Sequence, residues 1–357
     1  MGPKLKPTAG WAVVVILGIV CLMFLIPVVS LASPSATPDE RNISQVNLKL
    51  KGYFPSKNPE EQGIIFSQPG SIATDNHGHI AILDLRENRV YLFSAEEKLI
   101  SSFGRQGQGP GEFSFPIKIG FYKDLIYVFD SGSRRLQFFK GDGSFVRLIK
   151  LLKSYSDLTI SDEGKIYCSL LMKTGQEPNL VDILDSNGNL LVSLGEPEKI
   201  AGINSSYINQ VKVLPLGQGR VLLGFITTGL LSIYDETGKK LKDITALRDY
   251  LETEYSANLK NLTSLSQGKK IGYLHLFESV KAVGDKLYFL RSRPSRYEII
   301  EMDNNFNLSR QYTYKFKAGL QNLSLDFALR EDLATKNLEF FLLELSPENV
   351  GVIVLEP

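Results

Sequence analysis

Two kinds of apolar pattern divide the chain. The first is one unbroken run from Trp11 to Ala32 (WAVVVILGIVCLMFLIPVVSLA), 22 residues without a charge. About 20 such residues suffice to cross a bilayer. Lys4 and Lys6 precede the run and Asp39 and Glu40 follow it, which predicts a cytoplasmic N-terminus and an exported remainder. Ser30 and Ala32 are small residues spaced as in a secretory cleavage site. Two fates for 1–33 therefore stay open, a cleaved signal peptide and a retained transmembrane signal anchor. Val20 is too bulky for a lipoprotein cleavage box before Cys21. Residues 34–43, with Pro34 and Pro38, read as a linker.

Beyond residue 44 the apolar residues come in short runs punctuated by turn chemistry. Asp142-Gly143 and Asn187-Gly188 lie between apolar alternations, a strong hairpin signal because these residues accept the positive φ of a tight turn. The runs also repeat. Ile80 to Phe93 (IAILDLRENRVYLF) overlays Ile126 to Phe139 (IYVFDSGSRRLQFF) at an offset of 46. Each copy is an apolar strand, an Asp, four loop residues, an Arg and a second strand ending in Phe. Upstream, Pro69-Gly-Ser-Ile72 matches Pro116-Ile-Lys-Ile119. Weaker copies follow: Leu136 to Phe145 maps onto Val181 to Leu190 at offset 45, and Lys286 to Tyr297 onto His79 to Val90 at offset 207. A period of this length marks a propeller or a related array, in which no unit hides its apolar faces alone.

Ala246 to Lys270 lacks alternation and reads as a helical insertion, at about 246–270, between the fourth and fifth units. Setting it aside, residues 44–357 divide into six units of about 48 residues, near the usual length of a blade. The expected fold is thus all-β, a six-bladed β-propeller of four-stranded antiparallel blades over 44–357, preceded by the N-terminal segment. The last unit ends short of a full meander. Gln45 to Lys51 (QVNLKLK) is the strand expected to complete it, closing the ring and leaving no open edge.

Leu99 to Phe113 (LISSFGRQGQGPGEF), followed by Pro116, resembles the inter-blade segment of NHL-repeat propellers. More narrowly, the chain is similar to the exported bacterial proteins called six-bladed β-propeller proteins. The resemblance is close over 69–150 and thins to period and turn chemistry through 158–356. It implies the fold and an extracytoplasmic setting, periplasmic or at the cell surface. It implies no reaction, because one fold serves enzymes and binders alike.

Charge and composition narrow the function. Lys and Arg number 40 against 39 Asp and Glu, so the net charge of +1 lacks the footprint of a nucleic-acid binder. Cys21 and Cys168 build no disulfide scaffold, and Cys168 reads as a small core residue. The glycine-rich run Gly104 to Gly111 has no following Lys-Ser/Thr and no helix, so it is a tight crossing rather than a phosphate loop, with Glu112 accepting hydrogen bonds inside it. Asp84 with Arg89, and Asp130 with Arg135, are expected to pair across the loop between second and third strands. The fifth unit departs from this rule, since Arg291 stands where Asp84 stands.

That departure supplies the candidate site. Arg86, Arg105, Arg134, Arg291 and Arg293 are expected on the face that carries the crossings and the second-to-third-strand loops. Guanidiniums around a funnel favour a carboxylate, phosphate or sulfated ligand. No catalytic residue and no metal ligand set is assigned: His77, His79 and His275 do not converge, and no GxSxG or HExxH motif occurs. No cofactor is implied, calcium staying open through Asp75 and Asn76 in their turn. The expected function is an extracytoplasmic binding module for a protein, peptide or anionic ligand, with membrane attachment if the leader is uncleaved. The alternative is a lactonase- or lyase-like propeller enzyme with a divalent metal in its channel.

Overall fold

The computed structural model describes residues 43–55, 64, 66–171, 178–316, 324–331, 337–345 and 350–357. The leader expected over 1–33, and the linker up to residue 42, lie outside them. Among the described residues no helix is long and apolar enough to cross a membrane.

The chain opens with β1 (Ser44–Asn47) and β2 (Lys49–Phe54), then builds one antiparallel meander after another. Blade one holds β3 (Pro69–Thr74), β4 (Ile80–Asp84), β5 (Arg89–Phe93) and β6 (Leu99–Phe103). Blade two holds β7 (Pro116–Tyr122), β8 (Leu125–Asp130), β9 (Arg135–Phe139) and β10 (Phe145–Lys150). In blade three these are β11 (Tyr155–Ile160), β12 (Ile166–Leu170), β13 (Val181–Leu184) and β14 (Leu190–Leu194). A short helix α1 (Ser205–Ile208) precedes blade four, formed by β15 (Val211–Gly217), β16 (Arg220–Phe225), β17 (Leu231–Asp235) and β18 (Lys240–Ile244). Helices α2 (Ala246–Tyr250) and α3 (Glu252–Ser266) separate it from blade five, β19 (Ser279–Val283), β20 (Lys286–Arg293), β21 (Arg296–Met302) and β22 (Leu308–Lys315). Blade six has β23 (Phe327–Glu331), β24 (Leu338–Leu345) and β25 (Val350–Glu356) from the C-terminal end. The protein is an all-β six-bladed propeller.

Closure differs from the expected pairing in one respect. Gln45 to Lys51 does not act as a single strand of the last blade. Its first half belongs to β1, which pairs in parallel with β22 of blade five (Ser44 opposite Arg310). Only from Lys49 does the chain, as β2, pair antiparallel with β25 and complete blade six. One nearly continuous extended segment thus covers the outer edge of blade five and then closes the ring, which leaves less unpaired edge than closure alone.

Among the described residues, six buried apolar clusters fill the six spaces between neighbouring blades. Period-two alternation explains how one strand serves two of them. In β4, Ile80 and Ile82 pack toward blade six while Ala81 and Leu83 pack toward blade two. Both faces are buried, so inner strands read as continuous apolar runs. Cys168 sits in the cluster between blades two and three, a free buried thiol whose pKa burial pushes well up. The first strands of successive blades touch in a closed ring around the axis.

Candidate functional site

Side chains that leave an inner strand on the axial side meet in the channel, and there each blade contributes polarity. Ser71 comes from β3, Lys118 from β7, Asp157 from β11, Lys212 from β15, and Ser279 and Lys281 from β19. Asp326 stands just before β23. Asp326 is the hub. Its Oδ2 accepts from Lys118 Nζ at 3.1 Å and Ser71 Oγ at 2.9 Å. Its Oδ1 lies 3.0 Å from Lys281 Nζ and accepts from Ser279 Oγ at 2.9 Å. Backbone N–H of Phe327 adds a further bond at 3.0 Å. Around the ring, Lys212 Nζ donates to Asp157 Oδ2 at 2.9 Å. Among the described residues, three ammoniums therefore face two carboxylates, an excess of one positive charge.

Beside these groups lies a cavity of about 170 Å³, lined among others by Lys118, Tyr127, Asp157, Thr159, Lys212 and Lys281. It is well below the roughly 300–1,000 Å³ of drug-sized pockets, so it suits a molecule of a few heavy atoms. Gly120 shapes it. A Cβ there would meet Tyr127 Oη at 2.3 Å, so glycine leaves the passage by which a phenol from the second strand reaches the inner layer. Tyr127 there shares a hydrogen bond with Thr159.

Burial and pairing set the titration of these groups. Burial would raise Asp326, but Lys118 and Lys281 hold its carboxyl far below the usual range. Asp157 is likewise lowered by Lys212 and Lys118 against the effect of burial. Burial opposes the charge on Lys118, and Asp326 with Asp157 more than reverses it. Lys281 has the weaker compensation: burial, only partly offset by Asp326, lowers it to about 8. Burial together with Lys212 and Arg293 lowers His275 to about 4, so its imidazole is neutral at pH 7. Burial lifts Glu278 to about 7 against the pull of Arg293.

The five arginines expected as a ligand rim divide into two groups. Arg86 and Arg134 are exposed in the turns after β4 and β8. Arg105 is exposed in the crossing and paired with Glu112, Nε to Oε1 at 3.0 Å. Arg291 and Arg293 are instead buried, 2% and 5% exposed, and already neutralised. Arg291 pairs with Glu298 at 2.6 Å and with Glu254 of α3, and its Nε donates to the Leu276 carbonyl at 2.9 Å. Arg293 joins it on Glu254 at 3.0 Å. These two guanidiniums pin the helical insertion to blade five rather than stand on a free rim. The β20–β21 hairpin is also longer, with Arg291 opposite Glu298 and a two-residue turn at Pro294-Ser295.

The paired-loop expectation holds for one copy. Arg135 Nε reaches Asp130 at 3.1 Å. Asp84 instead accepts four backbone N–H groups, from Ser67, Gln68, Arg86 and Glu87, at 2.6–3.0 Å. In the glycine-rich crossing Glu112 does accept bonds, from Gly109 N–H and Arg105. The N–H groups of Gly107 and Gly111 are taken by Phe113 and Gln137, so the loop spends its amides on itself and its own blades. His79 pairs with Asp75 at 2.8 Å in the β3–β4 turn. Among the described residues no group of three or more His, Cys, Asp or Glu is placed to hold a metal ion.

Sequence reasoning missed the channel charges. Ser71 and Lys118 do hold the same place, two residues after Pro69 and Pro116, but later blades lack that proline and their inner-strand register is hidden.

Comparison with known proteins agrees with this architecture. The family model of DUF5128, a 6-bladed beta-propeller, matches residues 62–214, the first three blades and part of β15. The demonstrated likeness is therefore to a six-bladed propeller, not specifically to NHL repeats. No curated protein matches the chain in sequence. Among solved structures, a Bacteroides fragilis NCTC 9343 protein described as exported is similar at 16% identity and TM-score 0.54, over 88% of this chain and 99% of its own. A DUF4221-family member from Bacteroides vulgatus follows at 12% and 0.52, over 88% and 98%. Virginiamycin B lyase from Staphylococcus aureus stands at 11% and 0.47, over 87% and 88%. At such identities these are likenesses of fold.

Proposed function

We propose that the protein is an extracytoplasmic binding module that takes a small oxyanion, such as a carboxylate, phosphate or sulfate, in its central channel. The observation carrying this reading is that three lysines, Lys118, Lys212 and Lys281, line one small cavity in which Asp157 is the lining carboxylate, Asp326 pairing with two of them from outside the lining. The side chains of Lys118, Lys212 and Lys281 keep 17%, 26% and 22% of their surface, so an incoming anion meets them without unfolding the ring. Desolvated ammoniums in excess of their counter-ions favour an anion more strongly than the same groups in water. The leader pattern and the NHL-like crossing at 99–113 support export and a bacterial propeller kinship. Arg86 and Arg134 remain exposed cations on the crossing face, open to a protein or peptide partner too large for the cavity.

The test is calorimetric titration of residues 34–357 with lactate, phosphate and sulfate at constant ionic strength. A saturable 1:1 isotherm for at least one anion, lost in folded Lys212→Gln, is the expected result. Absence of saturable binding by all three, or binding unchanged in the variant, removes the channel reading.

A further inference from the structure

The two lysines on Asp326 are not equivalent, and the difference bears on what the channel does with its ligand. Lys118 has two carboxylates within its field, Asp326 at 3.1 Å and Asp157 farther off. Lys212 has Asp157 at 2.9 Å. Lys281 has the oxygen of Asp326 that Ser279 also uses, shares that carboxylate with the opposing ammonium of Lys118, and feels Asp157 only as the smallest of these influences. A buried amine beside another cation gives up its proton readily and becomes a nucleophile. Lys281 also lines the cavity, together with Tyr127, Thr159 and Lys212.

We propose that Lys281 captures a small carbonyl-bearing anion, a 2-oxo acid or an aldehydo acid, as an imine in the channel. This rests on the anion-binding reading above. The ligand carboxylate lies against Lys212, which directs its carbonyl carbon toward Lys281. The neutral Nζ attacks that carbon, and the C=O electron pair takes up a proton to give a carbinolamine. Its hydroxyl then leaves as water with a second proton while the nitrogen lone pair forms C=N. Counted from the ammonium, Lys281–NH3+ and the carbonyl give Lys281–NH+=C and one water, so charge is conserved and Asp326 faces a cation before and after. No oxidant or reductant takes part in the capture itself.

The test uses the full chain, purified in detergent, with near-stoichiometric glyoxylate or pyruvate and sodium cyanoborohydride as the trap, read by intact mass and peptide mapping. One adduct is expected, at Lys281, suppressed by excess lactate, which has the carboxylate but no carbonyl. Lys281→Arg keeps the charge, lacks the amine and loses at least nine-tenths of the labelling; circular dichroism confirms that it folds. Below pH 8 the labelling rate rises about tenfold per pH unit, as expected of an amine losing its proton. The groups facing it are Asp326, Lys118 and Asp157, with Lys212 and Tyr127 across the cavity. Labelling spread over surface lysines, or unchanged in Lys281→Arg, overturns the proposal. Saturable lactate binding without any adduct overturns it while leaving the anion site standing; failure of both removes both.

Discussion

In blades one and two the carboxylate ending the second strand, Asp84 or Asp130, takes backbone N–H groups from the crossing that enters its own blade. In blade five the polarity is reversed. There the crossing supplies the carboxylate, Glu278, which accepts the N–H of Ser292 at 2.8 Å, and the second strand supplies Arg291, which donates to the Leu276 carbonyl of the crossing. The same junction is fastened in both places. What differs is the neighbour: α3 brings Glu254 in its first turn over blade five, where an aspartate at the position of Arg291 would meet a like charge. The exceptional arginines thus answer to the insertion. A residue that breaks a repeat is as apt to mark a changed packing partner as a ligand site.

Four substitutions test this contrast. Arg291→Met removes the buried cation that Glu298 and Glu254 share, leaving Glu298 to the half-exposed Arg296 and Glu254 to Arg293, and is expected to cost about 3–5 kcal/mol in urea unfolding. A cost below about 1 kcal/mol would return Arg291 to the ligand rim. Asp84→Asn removes a charge that no arginine partners among the described residues but that four amides use, and about 1–3 kcal/mol is expected. Were its loss as large as that of Arg291→Met, the two fastenings would not differ in kind.

Glu278→Gln sharpens the comparison through pH. Because the folded-state pKa of Glu278 is raised to about 7, its contribution is full below the ordinary glutamate value near 4.5 and is lost as pH rises through 7. Glu254, held down to about 2 by Arg291 and Arg293 despite burial, behaves oppositely: its contribution is present above 4.5 and lost as pH falls toward 2. Glutamine at 278 mimics the protonated form, so the variant gains on the wild type, by roughly 2–3 kcal/mol, between pH 5 and 8. Identical pH profiles would contradict the burial assigned to Glu278. Arg86→Ala, at an exposed turn, is expected within about 0.5 kcal/mol of wild type. Its thermal unfolding checks that the cations of blade one are not structural.

The blade architecture was legible because it repeats in one dimension. Asp84 and Asp130 at offset 46, and turns whose Gly143 and Gly188 take φ of +84° and +89°, are local signals that survive without any partner. What failed to show needed contacts far apart in sequence. The parallel pairing of β1 with β22 joins residues more than 260 positions apart and has no local pattern of its own. The channel set is assembled from six blades, and Asp326 lies in an unremarked Leu325-Asp326-Phe327 step. The burial of Arg291 depended on a helix whose docking the sequence alone does not position.

The channel, rather than the arginine face, is held to be where the ligand goes, and one paired titration addresses that directly. Lactate affinity is measured by calorimetry for wild type, for Lys212→Gln, and for the double variant Arg86→Ala/Arg134→Ala. Binding lost in the channel variant and kept within about twofold in the double arginine variant, a difference under roughly 0.5 kcal/mol, is the predicted result. Binding kept in Lys212→Gln and lost with Arg86 and Arg134 would contradict it.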